Sequence, residues 1–343
     1  AELLRALGAD WGLVGEGERA RPLFDALEAG GDPSGLPGVV KRGQPAPAAV
    51  PLSAGERTAR ASPRHNPALD FYLRSGGMIG LQTQRGCRLR CVYCTYPNIE
   101  GRSLRPFDSR DILAEARMLE EAGAKYLFLT DSVFNGAPEH ALAVAKAFRE
   151  GGLTVPWGGF FAPTRPPPGF YEAMRAGGCT HAEFGTESLS DAVLPRIHKP
   201  FRRKDVFEAH AAARAAGLHV AHFMALGGPG ETAETLEETF DGCEALDGVP
   251  IFFFAGLRVY PGTALEQVAR DEGQLRPEHD LLPPFFYEPR GIPLAAIREA
   301  VDRRAVKRRN WLSGAGAEKA DAVLERLHKR GRTGPLWELL TSP

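Results

Sequence analysis

The sequence predicts an α/β protein organised on a partial (β/α)6 TIM-type barrel, and three observations point there. Between Met78 and Gly273, short apolar runs alternate six times with amphipathic stretches of helical period. Glycines stand at the ends of several helical stretches, at Gly123, Gly151, Gly177 and Gly217, where a left-handed closing residue is expected. Three of the five cysteines, Cys87, Cys91 and Cys94, follow the first apolar run within a few residues, at the strand end where barrels carry their reactive groups.

Composition bounds the rest. A chain of 343 residues, 43% hydrophobic and 25% charged, can hold one large domain with appendages. A net charge of −1 gives no overall attraction to nucleic acid or an anionic membrane, so any such patch must be local. No apolar run reaches the length of a transmembrane segment, the longest being 250–257. The opening residues Ala1 to Arg5 lack the basic and apolar regions of a signal peptide. An odd, clustered set of cysteines suits a reducing compartment, and the expected location is the cytoplasm. The chain starts without methionine and inside a helical pattern, so a segment is expected upstream.

Residues 1–42 read as helix, strand and helix: Leu3, Leu4 and Leu7 share one side, 11–14 is extended, and 21–29 is helical between Pro22 and Gly30. This is an incomplete α/β layer. Residues 43–74 form a proline-rich linker and lead-in, with a short helix ahead of Gly76 and Gly77. The barrel domain spans 75–273, with strands at 78–83, 126–130, 155–161, 181–184, 219–226 and 251–259. Its helices are expected at 109–122, 138–150, 169–176, 203–216, 233–246 and 264–272. In the first of them Ile112, Leu113, Ala116 and Leu119 line one face after Ser109 as N-cap. Residues 274–343 form a helical extension: the pattern breaks at Pro277, Pro283 and Pro284 and resumes as helices at 294–309 and 317–329. Arg303, Arg304, Lys307, Arg308 and Arg309 make the one basic patch, either a solvated helix face or a dock for an anionic head group or RNA. The tail 334–340 is apolar enough to pin itself to the body.

The spacing Cys87-x3-Cys91-x2-Cys94 suits three thiolates on one iron–sulfur cube whose fourth iron has no protein ligand. Zinc would draw on a second ligand pair, and none follows. The bland alternative is a redox-sensitive surface loop. With Val92 and Tyr93, the motif resembles the signature of the radical S-adenosylmethionine enzymes. That resemblance implies a [4Fe–4S] cluster, S-adenosylmethionine at its open iron, reductive cleavage to a 5'-deoxyadenosyl radical, the partial barrel of that family, and an external electron donor of flavodoxin or ferredoxin type. Residues 9–18 and 36–42 resemble the tail of the cobalamin-binding domain found ahead of the radical domain in one large subgroup. Cobalamin is thereby implied for the parent protein and left open for this polypeptide, because the subgroup's Asp-x-His-x-x-Gly motif is absent.

The strand ends supply the remaining candidates. Asp131 and Ser132 stand where the family places its contact to the methionyl amine; Asp131 also fits a helix cap or turn. Arg165 is either a fork for the methionine carboxylate or a solvated loop residue. Glu187 and Ser188 resemble the family's Gly-x-Glu-Ser word and would reach the ribose and methionyl groups. A strand-end carboxylate is costly to bury unless it binds something. Tyr93 belongs with this cofactor-binding set. Lys199 matches a recurrent loop lysine, with a surface helix-start residue as the alternative. Gly228 and Gly230 resemble the Gly-x-Pro-Gly-Glu-Thr word beside the adenine and let the backbone approach a ligand. No Lys-Ser/Thr follows, so this is no phosphate loop. Residues 251–259 with Tyr260 either frame the substrate or form a doubly buried strand. Cys179 and Cys243 read as buried structural thiols.

These residues predict a radical S-adenosylmethionine enzyme, expected to carry out cobalamin-dependent methylation or related carbon-centred chemistry on a small-molecule, lipid-like or natural-product substrate. The resemblance of 82–101 to members grouped with lipid biosynthesis carries the substrate expectation. The alternatives are cobalamin-independent modification of a peptide or metabolite, and a non-catalytic redox sensor or electron carrier.

Overall fold

The apolar runs become parallel strands because helices cover their outer faces. In the computed structural model, which describes residues 2–52, 68–246, 248–276 and 278–341, the N-terminal segment comprises α1 (Glu2–Leu7), β1 (Trp11–Leu13), α2 (Ala20–Glu28) and β2 (Val39–Lys41). β1 and β2 pair antiparallel, so the strand expected here has a partner the sequence reading did not include. Of the linker, residues 53–67 lie outside the described residues, as does Pro277.

The lead-in helix α3 (Leu69–Arg74) delivers β3 (Met78–Leu81), and the hairpin β4 (Gln84–Arg85) and β5 (Arg105–Pro106) brackets α4 (Tyr96–Glu100). Then follow α5 (Ser109–Glu121), β6 (Tyr126–Leu129), α6 (Pro138–Glu150), β7 (Trp157–Phe161), α7 (Phe170–Ala176), β8 (Cys179–Glu187), α8 (Arg203–Ala215), β9 (His219–Leu226), α9 (Ala233–Ala245), β10 (Ile251–Ala255) and α10 (Ala264–Asp271). The C-terminal part contains α11 (Leu294–Ala305), β11 (Trp311–Leu312) and α12 (Gly314–Lys329). The principal sheet has seven strands in the order β11-β10-β9-β8-β7-β6-β3, parallel throughout.

Six of these strands are the predicted ones; the seventh comes from the supposed helical extension. The predicted helix over 294–309 stops at Ala305, and Trp311 and Leu312 pair with Ile251 and Phe252. The sixth strand ends at Ala255 rather than 259, because Gly256 turns the backbone at φ +111°. The fourth is longer than expected, running the full length of Cys179–Glu187.

Helix ends shift by a residue. Asp108 caps α5, its side chain accepting the Arg110 amide at 2.8 Å, and Ile112, Ala116 and Leu119 are buried as the face analysis requires. Gly123 and Gly217 have positive φ, but after α6 and α7 Gly152 and Gly178 do so in place of Gly151 and Gly177. The basic patch is largely a staple onto α9: Arg304 pairs with Glu237 and Glu244, Arg308 with Glu244, and their guanidinium groups lie over Phe240 and Trp311. Arg303, Lys307 and Arg309 remain exposed, so the solvated-face reading holds for these three.

The main core fills the space between strands and outer helices, with Trp157, Phe134, Phe148, Tyr171 and Phe184 fully buried. Cys179 and Cys243 belong to it, and burial pushes both thiols up. The tail pins itself to the barrel: Leu336 and Trp337 are buried, Trp337 Nε1 donates to Glu183 at 3.0 Å, and Glu338 meets His181 at 3.1 Å.

That tail contact makes stability depend on pH. Burial raises Glu183 to about 7, only partly offset by Trp337. A carboxyl group whose folded pKa exceeds its unfolded value stabilises the fold when protonated. This contribution is full below about pH 4.5 and is lost as pH rises through 7. Glu183→Gln keeps an acceptor for Trp337 and removes the charge. It should raise the unfolding midpoint at pH 8 by roughly 5 °C and change it little at pH 5. Equal shifts at both pH values would count against the assignment.

Candidate active site

The cysteine loop is shaped by glycine and by buried ion pairs. Gly86 sits at φ +83°, and a Cβ there would lie 2.1 Å from the Ser103 carbonyl oxygen, so only glycine fits. Its amide donates to Glu100 at 2.9 Å, and the Cys87 amide donates to the Gly101 carbonyl at 3.2 Å. Arg85 pairs with Glu16 at 2.5 Å and Glu18 at 2.6 Å, while Arg105 pairs with Glu16 at 2.7 Å. Glu16 also accepts the Leu52 amide at 2.9 Å. Burial works against the Glu16 charge, but these partners outweigh it and hold its carboxyl below the usual range. The N-terminal segment is thus bolted to the hairpin that launches the cysteines.

The other side of the loop rests on the segment after β8. Val92 donates its amide to the Ile197 carbonyl at 3.3 Å and accepts from the Leu265 amide at 2.8 Å. Cys87, Cys91 and Cys94 share the wall of a cavity of about 360 Å³ at the carboxyl ends of the strands. Burial raises the Cys87 and Cys94 thiols, with backbone hydrogen bonds acting the other way.

Glu187 is the polar centre opposite. It closes β8 where the register with β9 shifts, and it holds φ +64°, a costly conformation for a residue with a side chain. Its Oε1 accepts from Tyr93 Oη at 2.7 Å and from Lys199 Nζ at 2.9 Å. The Lys199 ammonium is buried, hydrogen-bonds Cys91, and lies over the Tyr93 ring at 5.6 Å. Burial opposes its charge, yet Glu187 and Cys91 outweigh that and raise it. The Tyr93 hydroxyl is raised by burial and by the Glu187 charge.

Asp131 forms a second buried anchor. It accepts from the Thr83 amide at 2.7 Å, the Thr83 hydroxyl at 2.5 Å and the Gln84 amide at 3.1 Å, which joins the end of β6 to the chain entering the cysteine loop. Burial raises its carboxyl to about 6 against the pull of those donors. Ser132 lines the cavity beside Tyr96, its buried Oγ without a well-formed hydrogen bond.

The structure therefore gathers the three cysteines, Tyr93, Asp131, Ser132, Glu187 and Lys199 around one cavity. It does not bring in Arg165, which is largely exposed and pairs with Asp205 at 2.7 Å and Glu208 at 2.9 Å. Ser188 is buried behind the wall, its Oγ 3.1 Å from Thr239. Gly228 and Gly230 pack the loop after β9 against Ile197 and Arg196 without lining the cavity. Tyr260 lies under Arg258 at 4.6 Å, likewise off the cavity wall. Glu16, Glu100 and Arg105 escaped the sequence reading; Glu16 and Arg85 are 69 positions apart, and only the paired signs of charge could have hinted at them.

Among the described residues no three His, Cys, Asp or Glu side chains gather closely enough for a single metal ion. Three thiolates along a cavity wall instead suit a group several ångströms across that takes each on a separate atom.

Residues 81–243 match the profile of the Radical SAM superfamily. Over 203 residues, 59% of this chain and 44% of the relative, the sequence is 29% identical to an uncharacterized methyltransferase of Pyrococcus horikoshii. It is 25% identical to the tryptophan 2-C-methyltransferase of Streptomyces laurentii, over 55% of this chain and 34% of that one. The chain thus spans less than half the length of these curated relatives. The fold matches the radical S-adenosylmethionine methyltransferase TsrM of Kitasatospora setae, solved with its tryptophan substrate and an analogue of S-adenosylmethionine. The TM-score is 0.83 at 20% identity, over 99% of this chain and 77% of that one. It also matches the cobalamin-dependent enzyme OxsB with a TM-score of 0.68 at 14% identity, over 88% and 51%.

Two predictions test the site's scaffold. Lys199→Met leaves Glu187 buried without its cation and should destabilise the cluster-free chain by roughly 3–5 kcal/mol in urea unfolding. Adding Glu187→Gln should recover much of that, whereas additive losses would contradict the coupling. Glu16→Ala should speed alkylation of Cys87 by about tenfold through loosening of the hairpin, which corresponds to roughly 1.4 kcal/mol of local opening. An unchanged rate would show that the N-terminal segment does not restrain the loop.

Proposed function

Residues 81–243 belong to the radical SAM superfamily, and from that premise we propose that the protein is a radical S-adenosylmethionine enzyme. The observation that carries this reading is the placement of Cys87, Cys91 and Cys94 along one cavity wall at the strand ends. These thiolates would hold a [4Fe–4S] cluster. When bound, the reduced cluster and S-adenosylmethionine supply a carbon-centred radical that abstracts hydrogen. An external flavodoxin- or ferredoxin-type donor would provide the electron.

The chain's own residues do the positioning. Lys199 places a buried positive charge beside Cys91 and offsets part of the negative charge of the thiolates. Glu187, held by Tyr93 and Lys199, keeps one carboxylate oxygen engaged and presents the other to the polar groups of the nucleoside. Asp131 fixes the backbone before the cysteines, and Ser132 offers a hydroxyl to the methionyl end. Arg165 is best assigned to the surface pair with Asp205 and Glu208, which leaves Lys199 as the cation nearest the cofactor carboxylate.

We further propose cobalamin-dependent methylation of a small molecule as the reaction class. Relatives named as methyltransferases and the fold match to TsrM along nearly the whole chain support it. Residues 1–42 would then be the end of a cobalamin-binding domain. The first histidine in the chain is His65, so residues 1–42 carry no imidazole ligand for that cofactor.

Anaerobic reconstitution followed by reduction with S-adenosylmethionine should yield 5'-deoxyadenosine, and Cys91→Ala should reduce the yield to background. A well-assembled cluster that forms none would leave the electron-carrier reading. Spectral titration of the protein with cobalamin decides the methylation class.

A further inference from the structure

Beyond the cysteines the cavity changes character. Phe160 and Phe223 line it, and ring contacts carry the aromatic surface beyond the lining onto the neighbouring strands. Along β6, β9 and β10 the partly exposed Phe128, Phe223, Phe252 and Phe254 alternate with fully buried outward residues, so all point into the lumen. Phe160 meets Phe128 edge-on at 5.0 Å and Phe223 edge-on at 6.2 Å. The intervening strand does not interrupt them, because β8 contributes Gly185 beside Phe223. Phe223 then stacks on Phe252 at 4.8 Å and on Phe254 at 6.3 Å, with interplanar angles of 9° and 10°.

This wall is left uncovered. Phe254 is 54% exposed and Phe160 39% exposed, although Phe253, Gly159 and Phe161 beside them on the strands are buried. Contiguous exposed apolar surface leading out of a cavity marks a ligand face. The cavity residues supplied by β7 and β9 are all uncharged, whereas Asp131, Glu187 and Lys199 lie toward the cysteines.

We propose that the lumen binds an uncharged, flat unsaturated ring, aromatic or conjugated, stacked on the Phe223–Phe254 ladder with Phe160 at its edge. This deepens the radical-enzyme reading and rests on it only for the ring's presentation to the radical. Near-parallel phenyl faces set one preferred plane, which a planar ring matches throughout and a saturated chain does not. The substrate class is thereby narrowed from lipid-like hydrocarbon to a ring.

Indole and 1-octanol serve as probes, titrated separately into the anaerobically reconstituted protein and followed by ligand-observed NMR. Indole should bind, and Phe254→Leu, which keeps apolar bulk but loses the flat face, should weaken it about fivefold while leaving 1-octanol within twofold. Phe71→Ala, at an exposed phenylalanine on α3 outside the cavity, should change neither. Circular dichroism melting checks that the variants fold, and Phe223→Leu gives a second test of the ladder. Equal binding of both probes, or indole binding indifferent to Phe254 and Phe223, overturns the proposal. Cleavage of S-adenosylmethionine is measured on the same sample. If cleavage occurs and indole does not bind, the ring site alone fails; if indole binds at the ladder without cleavage, the radical reading fails and the ring site stands.

Discussion

The buried contact between Glu187 and Lys199 is the constraint on which the site depends. Neither charge is cheap to remove from water, and each is tolerable because the other is 2.9 Å away. The pair ties the cysteine loop to the end of β8 and the loop that follows it, 94 positions on from Tyr93 to Glu187. Tyr93 and Cys91 come from the cysteine loop, Glu187 from the end of β8, and Lys199 from the loop beyond it. The left-handed backbone at Glu187 is held in this setting by two donors that converge on one carboxylate oxygen.

A second electrostatic knot holds the loop from outside. Glu16 sits almost fully buried between Arg85 and Arg105, with the Leu52 amide as a further donor, so its carboxylate is well satisfied. The N-terminal segment buries Leu4, Leu23, Val39 and Val40 but leaves Leu3, Leu7 and Phe24 exposed. Its attachment near the cysteines is largely ionic, and the consequence is positional: the entry to the cysteine loop is set by residues far upstream. At the opposite end of the barrel, Trp337 and Glu338 close the lumen floor against Glu183 and His181.

Periodicity made six strands legible, because parallel strands covered on both faces leave continuous apolar runs. It missed β11, since two residues make no pattern, and Trp311 and Leu312 become a strand only by pairing with β10. It located Glu187 and Asp131 at strand ends, and the structure brings both to the cavity. It could not tell which way Arg165 turns, because a strand-end position fixes the Cα and not the partner; Asp205 and Glu208 take its side chain outward. Arg304 and Arg308 looked like a free basic patch for a similar reason, since the acids that pair with them sit on another helix.

The sequence by itself determined the cysteine spacing, the β/α alternation and the apolar character of the sixth strand, all of which are local properties of neighbouring residues. Tertiary structure alone decided which charges meet, which strand-end side chains face inward, and that phenylalanines from four strands join across Gly185 into one wall. Those outcomes depend on register and on contacts across long stretches of chain, and a pattern read along one strand carries no information about the strand beside it.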